Sequence, residues 1–176
     1  GGYPSDGASL SLMADACART GNIGEARRCC ELLIESDPGD AGAHIRKGNL
    51  LLSVGDNDAA LAEYRSALAL KRDSAAALFN TAMAAIRKDL AQMESYRNFN
   101  RSREKFEDLP EILSMFKAVL ALRIGDDVRA KALNNLAATL YLGGLAELPA
   151  IEEYLRMAIA ADPALPEPHV NLGNIC

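Results

Sequence analysis

Few side chains in this 176-residue chain have the types and spacing that catalysis or metal binding requires. The histidines, His44 and His169, are far apart in sequence, and neither belongs to a set of cysteine or acidic residues at ligand spacing. The four cysteines form no C-x-x-C pair, so we expect reduced, buried thiols. No phosphate-binding loop or nucleophile motif is present. We therefore predict no catalytic residue, no metal site and no cofactor, and we expect that the chain is not an enzyme.

Composition and charge also limit the class of partner. The formal net charge is -5, which disfavours nucleic acid because binding to phosphates depends on a positive field. No run of 18 or more apolar residues and no signal peptide is visible, so we expect no membrane insertion and a cytoplasmic protein. With 49% hydrophobic but only 5% aromatic residues, the composition favours closely packed helices.

The elements of the chain repeat with a period of about 34 residues. In each repeat a large residue is followed four positions later by a small one, on the same helix face. The pairs are Leu10 and Ala14, His44 and Gly48, Leu78 and Ala82, Leu133 and Ala137, and His169 and Gly173. Each small residue predicts a notch that admits a neighbouring helix, and both histidines are expected to pack between helices.

A second helix is predicted after each first one, because apolar residues recur there at i, i+4 and i+7. These stripes are Ala26, Cys30 and Leu33; Ala60, Tyr64 and Ala67; Ile112, Phe116 and Val119; and Ile151, Leu155 and Ala158. Glycines at 21, 55 and 143–144 predict the turns between paired helices, since glycine tolerates the left-handed backbone that ends a helix.

This pattern resembles the tetratricopeptide repeat (TPR), whose 34 residues read W-x-x-L-G-x-x-Y, then A-x-x-x-F, then P. In the best copy, 41–74, the family's places hold Gly48, Leu51, Ala60, Tyr64 and Ala67, whereas Lys47 and Arg72 depart from its leucine and proline. The resemblance implies an all-α fold, a right-handed superhelical solenoid of antiparallel helix pairs.

The predicted solenoid covers residues 7–176, after a disordered or cloning-derived N-terminus at 1–6. Its repeats are 7–40, 41–74, 75–126 with an enlarged hairpin, 130–165, and a partial repeat at 166–176. The partial repeat leads us to expect a longer protein.

The enlarged hairpin, 88–110, interleaves Tyr96, Phe99 and Phe106 with arginines and a lysine. Two interpretations are open. Its aromatic and cationic residues can form a specialised contact arm, or both helices of the pair run longer and their protruding ends pack together.

A stacked array of this family implies a concave groove lined by the first helix of each repeat. Counting from the large residues, the groove-facing places include three asparagines, Asn80, Asn135 and Asn171. A primary amide can both donate and accept a hydrogen bond, so such a ladder can pair with the backbone of an extended peptide. It resembles the ladder of the O-linked N-acetylglucosamine transferases. The alternative is that these amides bond neighbouring helices. Further predicted contacts are Arg46, Asn49, Lys131 and Asn174.

The expected function is therefore a non-catalytic scaffold that binds a partner peptide or protein in its concave groove. An alternative is the substrate-recognition arm of a larger enzyme, such as a glycosyltransferase, with a catalytic domain beyond residue 176. Self-association through the end of the solenoid is a third possibility.

Overall fold

The computed structural model describes residues 2–97 and 108–175, and the chain divides into two compact units, 1–88 and 89–176. The described residues form α-helices joined by short turns, so the predicted all-α class is confirmed. The helices are α1 (Gly7–Arg19), α2 (Ile23–Ser36), α3 (Ala41–Ser53), α4 (Asn57–Leu70), α5 (Ala75–Arg97), α6 (Leu109–Ala121), α7 (Asp126–Gly143), α8 (Leu148–Ala161) and α9 (Pro166–Ile175).

Helix ends in the first unit are defined by acidic or amide caps. Asp6, Asn22, Asp40 and Asp56 each accept a hydrogen bond from a backbone N–H in the first turn of α1, α2, α3 and α4. Such caps satisfy N–H groups that have no partner within the helix.

Glycines make the turns within three helix pairs. Gly21, Gly55 and Gly144 have φ of 76°, 82° and 60°, a left-handed conformation that costs glycine no Cβ clash. The positions predicted for these turns are confirmed. Because each turn is only a few residues long, the second helix of the pair folds back along the first.

Packing follows the same order within each unit. In the first unit α1 packs on α2 and α3 on α4, while α3 also contacts α2 and α1 of the preceding pair. In the second unit α7 packs on α6 and α8, and α9 contacts both α8 and α7. Each unit therefore combines contacts within a helix pair with contacts between successive pairs.

The predicted apolar stripes form the core. All twelve stripe residues of α2, α4, α6 and α8 are buried. Ala14, Gly48, Ala82 and Ala137 are buried as well, as the notch hypothesis requires. At Gly48 a Cβ atom would lie 2.5 Å from Cε1 of Tyr64, so the absence of a side chain is what lets the Tyr64 ring pack against α3.

The fifth copy does not follow this pattern. Gly173 is exposed, and a Cβ atom added there would have no neighbouring atom within 4 Å. His169 is also exposed, and its Nε2 lies 3.1 Å from the carbonyl oxygen of Pro163. The expectation that His169 packs between helices is wrong, because α9 contacts α8 and α7 through its other face. His44, in contrast, lies between α3 and α4 with its side chain 15% exposed.

Two predictions fall at the edges of the described chain. α5 runs for 23 residues, and α6 for 13 from Leu109. The aromatic side chains of the enlarged hairpin, Tyr96, Phe99 and Phe106, lie outside the described side chains, so its two interpretations stay open. At the N-terminus, Asp6 caps α1 and the Tyr3 hydroxyl donates to Glu25 Oε2 at 2.6 Å.

Two of the three described cysteines are buried free thiols, Cys29 and Cys30, whereas Cys17 is half-buried. Burial raises the pKa of the Cys30 thiol from 9.0 to about 11, because the thiolate would lose its hydration. Burial likewise raises the pKa of Tyr64 from 10.0 to about 12. Both groups are therefore neutral parts of the core.

We predict that Gly48→Ala destabilises the chain by about 1 to 3 kcal/mol, since the added methyl group overpacks the site beneath the buried Tyr64 ring. Gly173→Ala is the matched control, because its methyl group enters open space and gains about 0.5–1 kcal/mol of helix propensity. Urea unfolding measures both. Equal stability of the two variants would show that the notch is not required.

Alkaline pH should also destabilise the fold. A group whose pKa is higher in the folded state than in the unfolded state makes its full contribution to stability below its unfolded-state pKa. That contribution is lost as the pH rises towards the folded-state pKa. For Cys30 this window runs from pH 9.0 to about 11. We expect the urea midpoint to fall across this window, and to fall less steeply in Cys30→Ala although that variant is less stable at pH 7. A parallel pH profile in the variant would contradict the prediction.

Candidate functional site

In the first unit an ion pair joins the first helices of two successive repeats. Arg46 on α3 reaches Asp15 on α1, with Nη1 2.7 Å from Oδ1 and 2.5 Å from Oδ2. Both side chains are partly exposed, so water screens the pair and limits its contribution to stability to about 0.2–1 kcal/mol. The predicted contact Arg46 is thus charged and accessible, but it is held by the preceding repeat.

A chain of hydrogen bonds links the next two repeats. Asn49 Oδ1 accepts from the Tyr64 hydroxyl at 2.7 Å and from Asn80 Nδ2 at 2.9 Å. Tyr64 lies inside the α3–α4 pair, whereas Asn49 is exposed and Asn80 is half-buried. Two predicted contact residues, Asn49 and Asn80, are therefore brought together and bonded to each other across repeats.

A pocket of about 300 Å³ opens beside these polar groups in the first unit. Its floor is made of small and apolar residues from α1, α2 and α3, and its polar lining includes Arg46 and Asn49. The lining residues are Ala14, Asp15, Ala18, Arg19, Ala26, Cys30, Arg46, Asn49, Leu50 and Ser53. An apolar floor edged by hydrogen-bonding groups is the usual make-up of a binding site for a small group or side chain.

A second polar cluster on α3 and α4 was not predicted. Glu63 Oε1 lies 2.7 Å from Lys47 Nζ, and its Oε2 lies 2.8 Å from His44 Nδ1. Burial acts to raise the pKa of Glu63, but hydrogen bonds from Lys47 and His44 outweigh it and leave that pKa below its usual value. This cluster joins α4 to α3 and gives Lys47 an ion-pair partner at the position where the family pattern has leucine.

The second unit has its own amide pair. Asn171 on α9 donates from Nδ2 to Asn134 Oδ1 on α7 at 2.8 Å. Asn134 is only 7% exposed, so its carbonyl depends on this partner. Asn135 is the residue predicted at the groove, whereas Asn134 was not predicted; the two consecutive asparagines were the available signal. Asn135 is half-buried, and its backbone carbonyl accepts from the Thr139 hydroxyl at 2.7 Å.

A pocket of about 230 Å³ lies between α7, α8 and α9. Its lining is mostly apolar and includes two of the predicted asparagines, Asn171 and Asn174. The lining residues are Ala137, Ala138, Tyr141, Leu142, Ile151, Leu155, Asn171, Asn174 and Ile175. Asn135 and Lys131 are not among these residues. Lys131 is exposed and lies 4.0 Å from Asp127, one turn earlier on α7.

Among the described residues, no group of three or more histidine, cysteine or acidic residues is placed to hold a metal ion. Within 2–97 and 108–175, no helix is both long and apolar enough to cross a membrane.

The two asparagines of the second pocket should differ in their structural roles. Asn171→Ala leaves the buried Asn134 carbonyl without its donor, and we expect a loss of about 1–3 kcal/mol. Asn174 is exposed, so Asn174→Ala should change stability by less than about 0.5 kcal/mol. Urea unfolding of both variants measures the difference. A loss of stability in Asn174→Ala but not in Asn171→Ala would contradict this assignment.

Comparison with known proteins identifies the repeat. The tetratricopeptide repeat family model matches residues 41–74, which is the copy that contains Gly48, Asn49 and Tyr64. No protein of curated function matches the chain in sequence.

Several solved structures share the fold. MamA from Desulfovibrio magneticus RS-1 is 20% identical with a TM-score of 0.70, covering 99% of this chain and 85% of that one. The O-GlcNAc transferase of Thermobaculum terrenum is 18% identical with a TM-score of 0.69, covering 88% of this chain but only 26% of the transferase. The first TPR domain of Spaghetti (RPAP3), bound to an HSP90 peptide, is 16% identical with a TM-score of 0.61, covering 77% and 91%. Residues 41–74 therefore match the tetratricopeptide repeat family, and the chain shares the fold of these solved structures.

Proposed function

We propose that this chain is a non-catalytic scaffold that binds an extended segment of a partner polypeptide along the groove-facing side of its first helices. One observation carries the proposal. Each unit has a pocket at the residues expected to contact a peptide, with Arg46 and Asn49 lining the first and Asn171 and Asn174 lining the second.

The pocket of the first unit suits a polar or small side chain. Arg19 and Arg46 outnumber the single carboxylate of Asp15, so the lining carries a local positive excess in a chain whose net charge is -5. The Asn49 amide lies at the same edge and can bond to the main chain of the ligand. The small side chains of Ala14 and Ala18 leave space in the pocket for the ligand groups that bond to the arginines and to Asn49.

The pocket of the second unit suits an apolar side chain. Ile151 and Leu155 are buried at its base, and the half-exposed Tyr141 and Leu142 extend its wall. Asn171 and Asn174 stand at its edge, where they can bond to the main chain on either side of an inserted residue. Burying one large apolar side chain there contributes about 1.5–3 kcal/mol.

Preorganisation favours binding at both pockets. The Arg46–Asp15 ion pair and the Asn171–Asn134 hydrogen bond hold the lining side chains in place before a ligand arrives. Most of the ordering cost then falls on the peptide rather than on the protein. The Spaghetti domain, which has the same fold, is bound to a peptide in its solved structure.

A second candidate function rests on the similarity to the O-GlcNAc transferase, of which this fold makes up about a quarter. In that case the chain is the substrate-recognition arm of a larger enzyme. The two candidates make the same prediction for the pockets, and the full-length reading frame distinguishes them. Self-association is tested separately by light scattering over a range of protein concentrations.

The binding proposal is tested with a peptide selected on the wild-type chain from a random library of linear peptides. We expect Arg46→Ala and Asn174→Ala each to weaken binding by about tenfold, a loss of about 1.4 kcal/mol. Isothermal titration calorimetry measures the affinity, and circular dichroism checks the fold. These two positions are chosen because neither contributes to a buried hydrogen bond.

Matched controls are Arg27→Ala on α2 and Glu153→Ala on α8, which remove exposed charged side chains from second helices away from both pockets. They should leave the affinity unchanged. If Arg46→Ala and Asn174→Ala both bind as tightly as the controls, the pockets are not the binding surface and the proposal fails.

A further inference from the structure

We propose that the buried hydroxyl of Tyr64 fixes the direction in which the Asn49 amide points, so that the first unit binds an extended peptide in one chain direction only. This inference rests on the proposed function. It assigns Asn49 to the peptide's carbonyl groups, Asn80 to its N–H groups, and Tyr64 to a positioning role.

Tyr64 has a polar hydroxyl group although its side chain is fully buried, at 0% exposure. Its ring fills the notch at Gly48, and only its hydroxyl reaches towards the groove-facing side of α3. A buried hydroxyl left without a partner costs about 1–3 kcal/mol. The hydrogen bond to Asn49 Oδ1 at 2.7 Å removes that cost, and the family pattern has phenylalanine, which lacks the hydroxyl, at this place.

The Asn49 carbonyl oxygen is then fully used. It has two lone pairs, and it accepts one hydrogen bond from Tyr64 and one from Asn80 Nδ2 at 2.9 Å. What Asn49 still offers at the surface is its amide nitrogen, with two N–H donors. Towards a ligand, Asn49 therefore acts as a donor and binds a carbonyl oxygen.

Asn80 has the complementary role. It gives one N–H to Asn49, and among the described residues its own side-chain oxygen has no hydrogen-bond donor. Asn80 therefore supplies an acceptor next to the donor of Asn49. Along one edge of an extended peptide the N–H and C=O groups alternate at unequal spacings, so a donor and an acceptor held at a fixed separation match them in one chain direction and mismatch them in the other.

The favoured ligand is thus an extended main chain, recognised independently of its side chains at this point. The opposite arrangement, in which the Asn49 nitrogen donates to both Tyr64 and Asn80, has the reverse polarity. Isosteric substitutions separate the two, because aspartate keeps the acceptor oxygens of asparagine and has no N–H donor.

The first part of the test needs no ligand. At pH 7 we expect Asn49→Asp to keep both acceptor bonds and to shift the urea midpoint little. Asn80→Asp loses the donor to Asn49 and faces it with a carboxylate, so it should lower the midpoint clearly. If Asn49→Asp is the more destabilising change, the amide has the opposite orientation and the inference is overturned.

The second part uses the peptide selected on the wild-type chain. We expect Asn49→Asp to weaken its binding by about tenfold, since the donors are lost while the fold is retained. Tyr64→Phe should weaken it by about three- to tenfold, because the amide is free to turn over while the ring still fills the notch. Tyr154→Phe, a half-buried tyrosine of α8, is the matched control and should bind like the wild type.

Replacing single peptide bonds of the same ligand by esters tests the acceptor role of Asn80. An ester lacks the N–H, so one replacement should weaken binding to the wild type but cost nothing further in Asn80→Ala. Unchanged affinity for every ester, or unchanged affinity in Asn49→Asp, would overturn the inference. Neither result touches the proposed function, which fails only if Arg46→Ala and Asn174→Ala bind as tightly as their controls.

Discussion

The close approach of α4 to α3 at Gly48 is the contact on which the rest of the first unit depends. A Cβ atom at this position would lie 2.5 Å from the Tyr64 ring, so only glycine lets the largest buried side chain of the unit lie between the two helices. Ala14 and Ala137 are the corresponding buried small residues of α1 and α7. Because α3 also contacts α1 and α2, the position of one helix pair determines where the groove-facing residues of its neighbour lie. The arrangement of the polar groups therefore depends on the packing at the notch.

This packing positions the polar side chains that link successive repeats in the first unit. Tyr64 is placed by the notch, its hydroxyl orients Asn49, and Asn49 in turn holds Asn80 of the next repeat. Arg46 and Asp15 make a parallel link between the first and second repeats. Each link occupies a donor or acceptor that is then not available to a ligand, and each also leaves a defined donor or acceptor exposed. The two interpretations of these amides are therefore compatible. One atom of a side chain can bond to a neighbouring helix while another atom of the same side chain remains available to a ligand.

The second unit reaches a similar result with different chemistry. The buried side-chain carbonyl of Asn134 accepts its hydrogen bond from Asn171, and Asn171 also lines an apolar pocket. Here the amides stand at the edge of a site whose base is Ile151 and Leu155, whereas the first unit surrounds its pocket with charges and donors. The linings of the two pockets thus differ in chemistry, although each includes asparagine side chains.

The sequence by itself determined the helices, their buried stripes and their turns, since these follow from periodicity and from the backbone freedom of glycine at Gly21, Gly55 and Gly144. It also predicted a groove-facing side for each first helix, because residues two positions after an anchor share a face. Only the tertiary structure decided which atoms of those residues are already bonded. The exposure of His169, the burial of Asn134 and the Lys47–Glu63 contact depend on how a neighbouring helix is placed, which no spacing within one helix encodes. The same physical reason applies to Asn49: its type and place can be read along the chain, but its direction depends on a hydroxyl fifteen residues away on another helix.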